Sequence, residues 1–347
     1  ESYGYLDLHT RLLNLQDRLI ILADRRTHRM EINPLVLPAL REMLEATSLV
    51  PSRPVASGDG QQGRESWLNP SIIPALHSLL RELPGLVKND GSLRKRAEES
   101  LAEGIPTLVE ASPALPEAAH RFAALPKRLG FLLTALRNLD LLVERESGMA
   151  ISVEGVRRLS EYPRRWTRYA LVAAAAGARS AREIYAESGA MGELLDQLET
   201  QRAYEPNRLL RYLGTMLQNH GAPAERGEEL ITGLCAAGVL NSDDEGCLIP
   251  AQEEREELGA ASTGSGGGTL LSPNFEVSLP AAAPIAHHLT VASAARILRF
   301  DRFCRYEITR DSFLAHCEGR QDGEAQIEAL RRLVGELPQN IATTLSA

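Results

Sequence analysis

No glycine in this 347-residue sequence is followed by lysine, so the GxxxxGK[ST] loop that cradles nucleotide phosphates is missing. HExxH and GxSxG are missing as well, which removes two common signatures of hydrolytic chemistry. One formal GxGxxG runs from Gly58 to Gly63, but it lies in a Pro/Ser/Gly-rich stretch with no strand ahead of it, and so lacks its dinucleotide-binding context. Cysteine is sparse. Cys235, Cys247, Cys304 and Cys317 include no CxxC pair, which points to free thiols in a reducing compartment. A zinc site built from Cys304, Cys317, His316 and the His287-His288 pair would lack the short ligand spacing of structural zinc.

Long apolar runs are absent too. The longest, Tyr169 to Gly177, falls far short of the roughly 20 residues that span a bilayer. No secretory leader is legible, and a cytoplasmic location is expected, with no membrane partner. The chain opens on Glu1 rather than Met. Aromatic residues make up only 5%, while Ala and Leu abound, so helices should dominate and strands should be short. Positive charge is also short: 38 Lys and Arg face 46 Asp and Glu, a net charge of −8. Proteins that hold duplex DNA mainly by neutralising phosphates are usually basic, so any nucleic-acid contact must come from a local patch. No enzymatic activity, cofactor, metal or small-molecule substrate is expected.

What is present is a layout used three times: a helix, then two short apolar runs around a polar turn. Leu13 to Leu40 has it, with Leu19 to Leu22 and Met30 to Ile32 flanking the turn. Leu132 to Leu159 repeats it, with Leu141 to Val143 and Met149 to Val153. Leu230 to Pro250 repeats it again around Asn241 to Gly246. Such runs read as hairpins with longer loops, and a helix feeding a hairpin is the back half of a winged helix. Pro206 to Gln218, the turn Asn219-His220-Gly221 and Ala224 to Ala237 supply a helix-turn-helix front half for the third copy. The expected fold is α+β and predominantly helical. Residues 1–50, 116–178 and 179–257 are winged-helix-like units, the first of them incomplete. A linker (51–67) and short helices (68–115) follow the first unit, and a Gly/Ser linker (258–268) leads to a small mixed α/β domain (269–347).

In that last domain, Phe275 to Leu279 alternates as a half-buried strand, Pro284 to Leu298 is helical, and Cys304 to Thr309 alternates again. Thr309 or Asp311 caps a following helix, Asp322 to Val334 is an amphipathic helix, and Leu337-Pro338 opens a last one. The stretches LSPNFEV (271–277), YEITRDSF (306–313) and LPQNI (337–341) resemble the N-terminal domain of XPB-type DNA helicases and the bacterial helicase-associated proteins that share it. The resemblance covers about a fifth of the chain. It departs from the family in the turn Glu318 to Gly323, and at Ala347, beyond which the family continues, so a fragment or processed product is expected. It implies a helicase-associated adaptor or regulator of DNA repair or transcription, with winged-helix modules ahead of the domain.

The strongest cationic stretch is Val156 to Ala170, where Arg157, Arg158, Arg164, Arg165 and Arg168 interleave with Tyr162, Trp166 and Tyr169. Arginine with aromatics can hold phosphates and stack on bases. The same pattern suits Trp166 and Tyr169 as core anchors beneath a solvated arginine face with acidic neighbours. Arg25, Arg26 and Arg29 at the first hairpin tip would suit a wing touching a backbone, while Asp243, Asp244 and Glu245 at the third would repel one. The basic run Arg94-Lys95-Arg96 precedes Glu98-Glu99 and reads as a solvated helix face. Two readings stay open: an adaptor that binds DNA, a helicase partner or both, and an acidic protein-interaction scaffold without DNA binding.

Overall fold

The computed structural model describes residues 5–24, 29–39, 50, 52–55, 66–83, 85–90, 92–112, 124–145, 148–251, 268–315 and 320–346. It is a mixed α and β structure with more helix than strand. The chain divides into a first compact unit, Glu1–Ser52, and a second, Arg53–Ala347.

In the first unit, helix α1 (Tyr5–Asp17) runs into an antiparallel hairpin of β1 (Ile21–Asp24) and β2 (Arg29–Ile32), with Ile21 opposite Ile32. Strand β3 (Ser52–Pro54) begins at the boundary, within a stretch whose composition reads as linker. Proline is tolerated there because β3 lies at the edge of its sheet.

The second unit opens with α2 (Ile72–Glu82), α3 (Lys95–Gly104) and a 3-10 turn at Pro106–Val109. Helix α4 (Lys127–Asn138) leads into hairpin β4 (Leu142–Arg145) and β5 (Gly148–Ile151), then α5 (Val153–Leu159) and α6 (Arg164–Ala175). Helix α7 (Ala181–Asp196) precedes β6 (Arg202–Tyr204), α8 (Pro206–Asn219), α9 (Gly227–Ala236) and hairpin β7 (Leu240–Ser242) and β8 (Leu248–Pro250). These last strands join β3 in a sheet of order β3-β6-β8-β7.

The three helix-to-hairpin joints share one backbone solution. A left-handed residue follows each helix: Leu19 (φ 56°), Asp140 (φ 55°) and Gly238 (φ 73°). Its N–H donates to Gln16 O, Arg137 O or Cys235 O, and the next residue's N–H reaches back to Leu15 O, Leu136 O or Leu234 O. That is a Schellman closure, which satisfies carbonyls a helix end would otherwise orphan. The strand leaving each hairpin then donates to that second residue: Asn33 N–H to Ile20 O, Ser152 N–H to Leu141 O and Ala251 N–H to Val239 O, all at 2.9 Å.

The C-terminal region forms a second four-stranded antiparallel sheet. It contains β9 (Leu270–Leu271), β10 (Glu276–Pro280), β11 (Arg296–Arg299) and β12 (Phe303–Glu307), in the order β11-β12-β10-β9. Helices α10 (Ile285–Ala294), α11 (Arg310–Leu314), α12 (Arg320–Val334) and α13 (Gln339–Ser346) complete it. Alternation puts Val277, Leu279, Cys304 and Tyr306 in the core, and Thr309 caps α11 through a capping box with Ser312. The helix expected to reach Leu298 stops at Ala294. Residues 296–299 are drawn into the sheet because Ser78 Oγ on α2 donates to Ala295 O and accepts from Ile297 N–H, both at 2.9 Å. Arg81 adds bonds to Ala292 O, Ser293 O and Ser312 O. The residues on both sides of the Gly/Ser stretch 258–268 thus belong to one compact unit. Among the described residues, no helix is long and apolar enough to cross a membrane.

Candidate nucleic-acid interface

Helix α5 starts at Ser152, whose Oγ accepts from Gly155 N–H at 3.1 Å. One turn on, Arg157 and Arg158 both pair with Glu154, at 2.7 and 3.1 Å, with side chains 65% and 75% exposed. Ion pairs this exposed contribute little, so a phosphate can displace the carboxylate.

Pro163 starts α6, and the 100° step of the helix sends its arginines in different directions. Arg164 points inward: its guanidinium donates to Asn69 Oδ1, to Ala281 O at 2.6 Å and to Ala283 O at 3.4 Å. Arg168, one turn later, is 1% exposed and donates to Leu68 O at 2.9 Å. No phosphate can reach Arg168 in this fold, so it is a structural arginine and leaves the candidate interface. Arg165 lies flat beside Tyr169, donating to its hydroxyl at 2.6 Å, and also engages Asp196. Burial works to lower its pKa, but Tyr169 and Asp196 more than offset it, and the guanidinium stays charged. Tyr169 is itself buried and serves as a core anchor.

Trp166 turns the other way. Its ring stacks on Tyr162 at 4.3 Å between centroids, and Tyr185 of α7 lies 6.4 Å away on a 48° tilt. Tyr162 and Tyr185 are 48% and 65% exposed and Trp166 is half-buried, so the three rings form a ridge partly open to solvent. Helix α7 is fixed by the Ser180–Glu183 capping box, and its inward stripe of Ile184, Ser188, Met191 and Leu195 leaves Tyr185 outside. Arg182, exposed and one turn before Tyr185, flanks the ridge on the same helix. Sequence reading missed Tyr185 and Arg182. A helical wheel of 181–196 would have flagged an aromatic off the apolar stripe, but only tertiary packing brings it to Trp166.

The hairpin tips differ. Arg25 and Arg26 lie outside the described residues, and Arg29 sits on β2 opposite Asp24, its side chain outside them too. At the third tip, Asp243 and Glu245 are held by Arg53 at 2.7 and 2.9 Å. Helix α9, beside that tip, exposes Glu228 and Glu229.

No three histidine, cysteine or acidic side chains group as a metal site among the described residues, which exclude His316 and Cys317. Both ring nitrogens of His288 are engaged, by Tyr306 OH at 3.3 Å and Pro280 O at 3.1 Å. Burial, helped by the Arg164 charge, pushes the His288 pKa down to about 3 and keeps the ring neutral.

No family model matches the chain, and a search of curated proteins finds no match.

Proposed function

We propose that this chain is a non-catalytic, helicase-associated adaptor that engages a helicase, DNA or both through winged-helix-like units and an XPB-like C-terminal module. The observation that carries the reading is the element order of the third repeat. Helix α7, strand β6, helices α8 and α9 and hairpin β7–β8 follow in turn, and Tyr204 of β6 pairs with Leu248 of β8. A helix, a strand, two helices and a hairpin, with the first strand beside the last, is the winged-helix order. The C-terminal strands and helices, β10 to α13, follow the element order read from the sequence, save for the added strand β11. In this reading the adaptor acts by docking and positioning, with no covalent step.

One specific observation favours the second reading, an acidic scaffold without DNA binding. The helix and wing of the third unit that would face a groove carry Glu228, Glu229, Asp243, Asp244 and Glu245, of which Arg53 pairs with Asp243 and Glu245. Like charge opposes a phosphate backbone there, so this unit suits a protein partner, and any DNA contact falls to the α5–α6 surface.

Affinity purification of the full chain from its native cells tests the adaptor reading. Recovery of a separate helicase subunit is expected, and a preparation that recovers neither a helicase nor nucleic acid sinks it. A duplex gel shift separates the two readings. Binding that falls by orders of magnitude between about 50 and 200 mM salt supports phosphate contacts, and absence of binding at low salt leaves the scaffold.

A further inference from the structure

We infer that the ridge of Tyr162, Trp166 and Tyr185 is a binding site for single-stranded nucleic acid. One base inserts between Trp166 and Tyr185, and Arg158 and Arg182 hold the flanking phosphates. The inference rests on the DNA arm of the adaptor reading and names the form of nucleic acid and the residues that take it.

Three observations carry it. The first is exposure. Two exposed tyrosines contact a half-buried tryptophan in a chain that is only 5% aromatic, where fuller burial would be their usual fate.

The second is spacing. A base sandwiched between two rings needs them about 6.8 Å apart, twice the ~3.4 Å rise between stacked bases. Trp166 and Tyr185 are 6.4 Å apart and tilted by 48°, an aromatic contact that a base enters only after the exposed Tyr185 rotates off the indole to lie parallel to it. Trp166 also stacks on the near-parallel ring of Tyr162, at an interplanar angle of 23°, which holds the indole in place. Every base has a π-face, so such a slot is indifferent to sequence but requires bases free of a duplex.

The third is charge. Residues 154–185 carry seven arginines against three glutamates, inside a chain of net charge −8. Arg164 and Arg168 turn inward and Arg165 engages Asp196, which leaves Arg157, Arg158, Arg179 and Arg182 at the surface. Glu183 is turned to the backbone N–H groups of Arg179 and Ser180 and does not face the ridge. Glu154 pairs with the exposed arginines, and Glu161 lies exposed beside Tyr162. Arg158 is 75% exposed and comes four residues before Tyr162 in the sequence, and Arg182 lies one helical turn before Tyr185 on α7. This cationic setting favours a polyanion over an apolar or proline-rich peptide as the occupant.

The test is a fluorescence titration of the full chain with an oligodeoxythymidylate of about 15 nucleotides, a length within the range single-strand binders cover. Trp67, the other tryptophan, is partly buried with its indole N–H bonded to Ala236 O, so quenching on binding reports Trp166. Saturable quenching that vanishes in Trp166→Phe is expected, with much weaker binding of a duplex of equal length. By anisotropy of a labelled oligonucleotide, Tyr185→Ala should weaken binding by about tenfold. Replacing Arg158 and Arg182 together by Glu should lower the salt slope by about two. Both tyrosines are exposed, so circular dichroism should show these variants folded.

A folded Tyr185→Ala that binds as tightly as the parent overturns the inference, as does a duplex that competes equally. A chain that recovers a helicase yet shows no quenching keeps the adaptor reading and overturns the ridge. Quenching without helicase recovery keeps the ridge and the DNA arm and overturns the helicase arm.

Discussion

Asp140 occupies in the second repeat the backbone position that Gly238 occupies in the third. Both are left-handed, at φ 55° and 73°, and both donate their N–H to the carbonyl three residues back, at 3.0 Å. Glycine adopts this conformation without strain, whereas a Cβ costs energy, less for aspartate than for bulkier residues. An alanine Cβ at Gly238 would meet only ordinary van der Waals contacts, the nearest Ser66 Cα at 3.5 Å, so its cost is conformational. Gly238→Ala should therefore lose about 1 kcal/mol, and Asp140→Gly should gain a smaller amount, ~0.5 kcal/mol, partly offset by the freer unfolded chain. Urea midpoints at constant m would check both.

Ser78 supplies a second test, because it holds α2 against β11 with one hydroxyl. Its oxygen accepts from Ile297 N–H and its proton goes to Ala295 O, both at 2.9 Å, and the side chain is 2% exposed. Ser78→Ala orphans a buried donor and a buried acceptor together, for an expected loss of about 2–4 kcal/mol. Ser78→Thr, which keeps the hydroxyl, should lose less. Chemical denaturation of the three proteins distinguishes the outcomes, and equal stability of the alanine variant would show that the joint is not held this way.

Arg164 and Arg158 should separate folding from binding. Arg164→Ala removes bonds to Asn69, Ala281 and Ala283, so it should cost about 2–3 kcal/mol through charged-donor bonds. Arg158→Glu, on an exposed side chain, should leave the melting temperature nearly unchanged and weaken binding to an oligonucleotide. Thermal melts and anisotropy on the same two variants give the comparison. If Arg158→Glu destabilises as much as Arg164→Ala, the division between structural and surface arginines is wrong.

That division marks the limit of what the sequence discloses. Apolar runs around polar turns located all three hairpins, because strand alternation and turn chemistry are local. Composition likewise foretold a helical majority. The direction of each arginine on α6 was not local: Arg164 turns inward because Asn69 and the carbonyls of Ala281 and Ala283 await it. Residues 296–298 read as helix on propensity, and Ser78, far back in sequence, helps make them part of a strand. The same dependence hid Tyr185 from the aromatic ridge.

The pair Glu187 and Arg226 yields a pH-dependent prediction. Glu187 is 2% exposed and receives Arg226 Nε at 2.8 Å and Nη2 at 3.2 Å, while Nη2 also donates to Ala176 O at 3.0 Å. Burial raises the Glu187 pKa above its ordinary value despite the arginine beside it. A carboxyl raised on folding binds its proton more tightly in the native state, so its contribution is full below the unfolded pKa. That contribution falls as pH rises through the folded value. Removing the guanidinium leaves burial unopposed and drives the folded pKa higher still. Arg226→Met should thus lose about 3 kcal/mol near neutral pH, where the carboxylate is buried without its partner. The deficit should shrink as pH falls and Glu187 takes up a proton. Adding Glu187→Gln to Arg226→Met should recover part of the stability at neutral pH and flatten the dependence. Urea unfolding of the parent, single and double variants at several pH values reads this directly. A deficit that grows toward acid would mean that Glu187 is not the charge left unpaired.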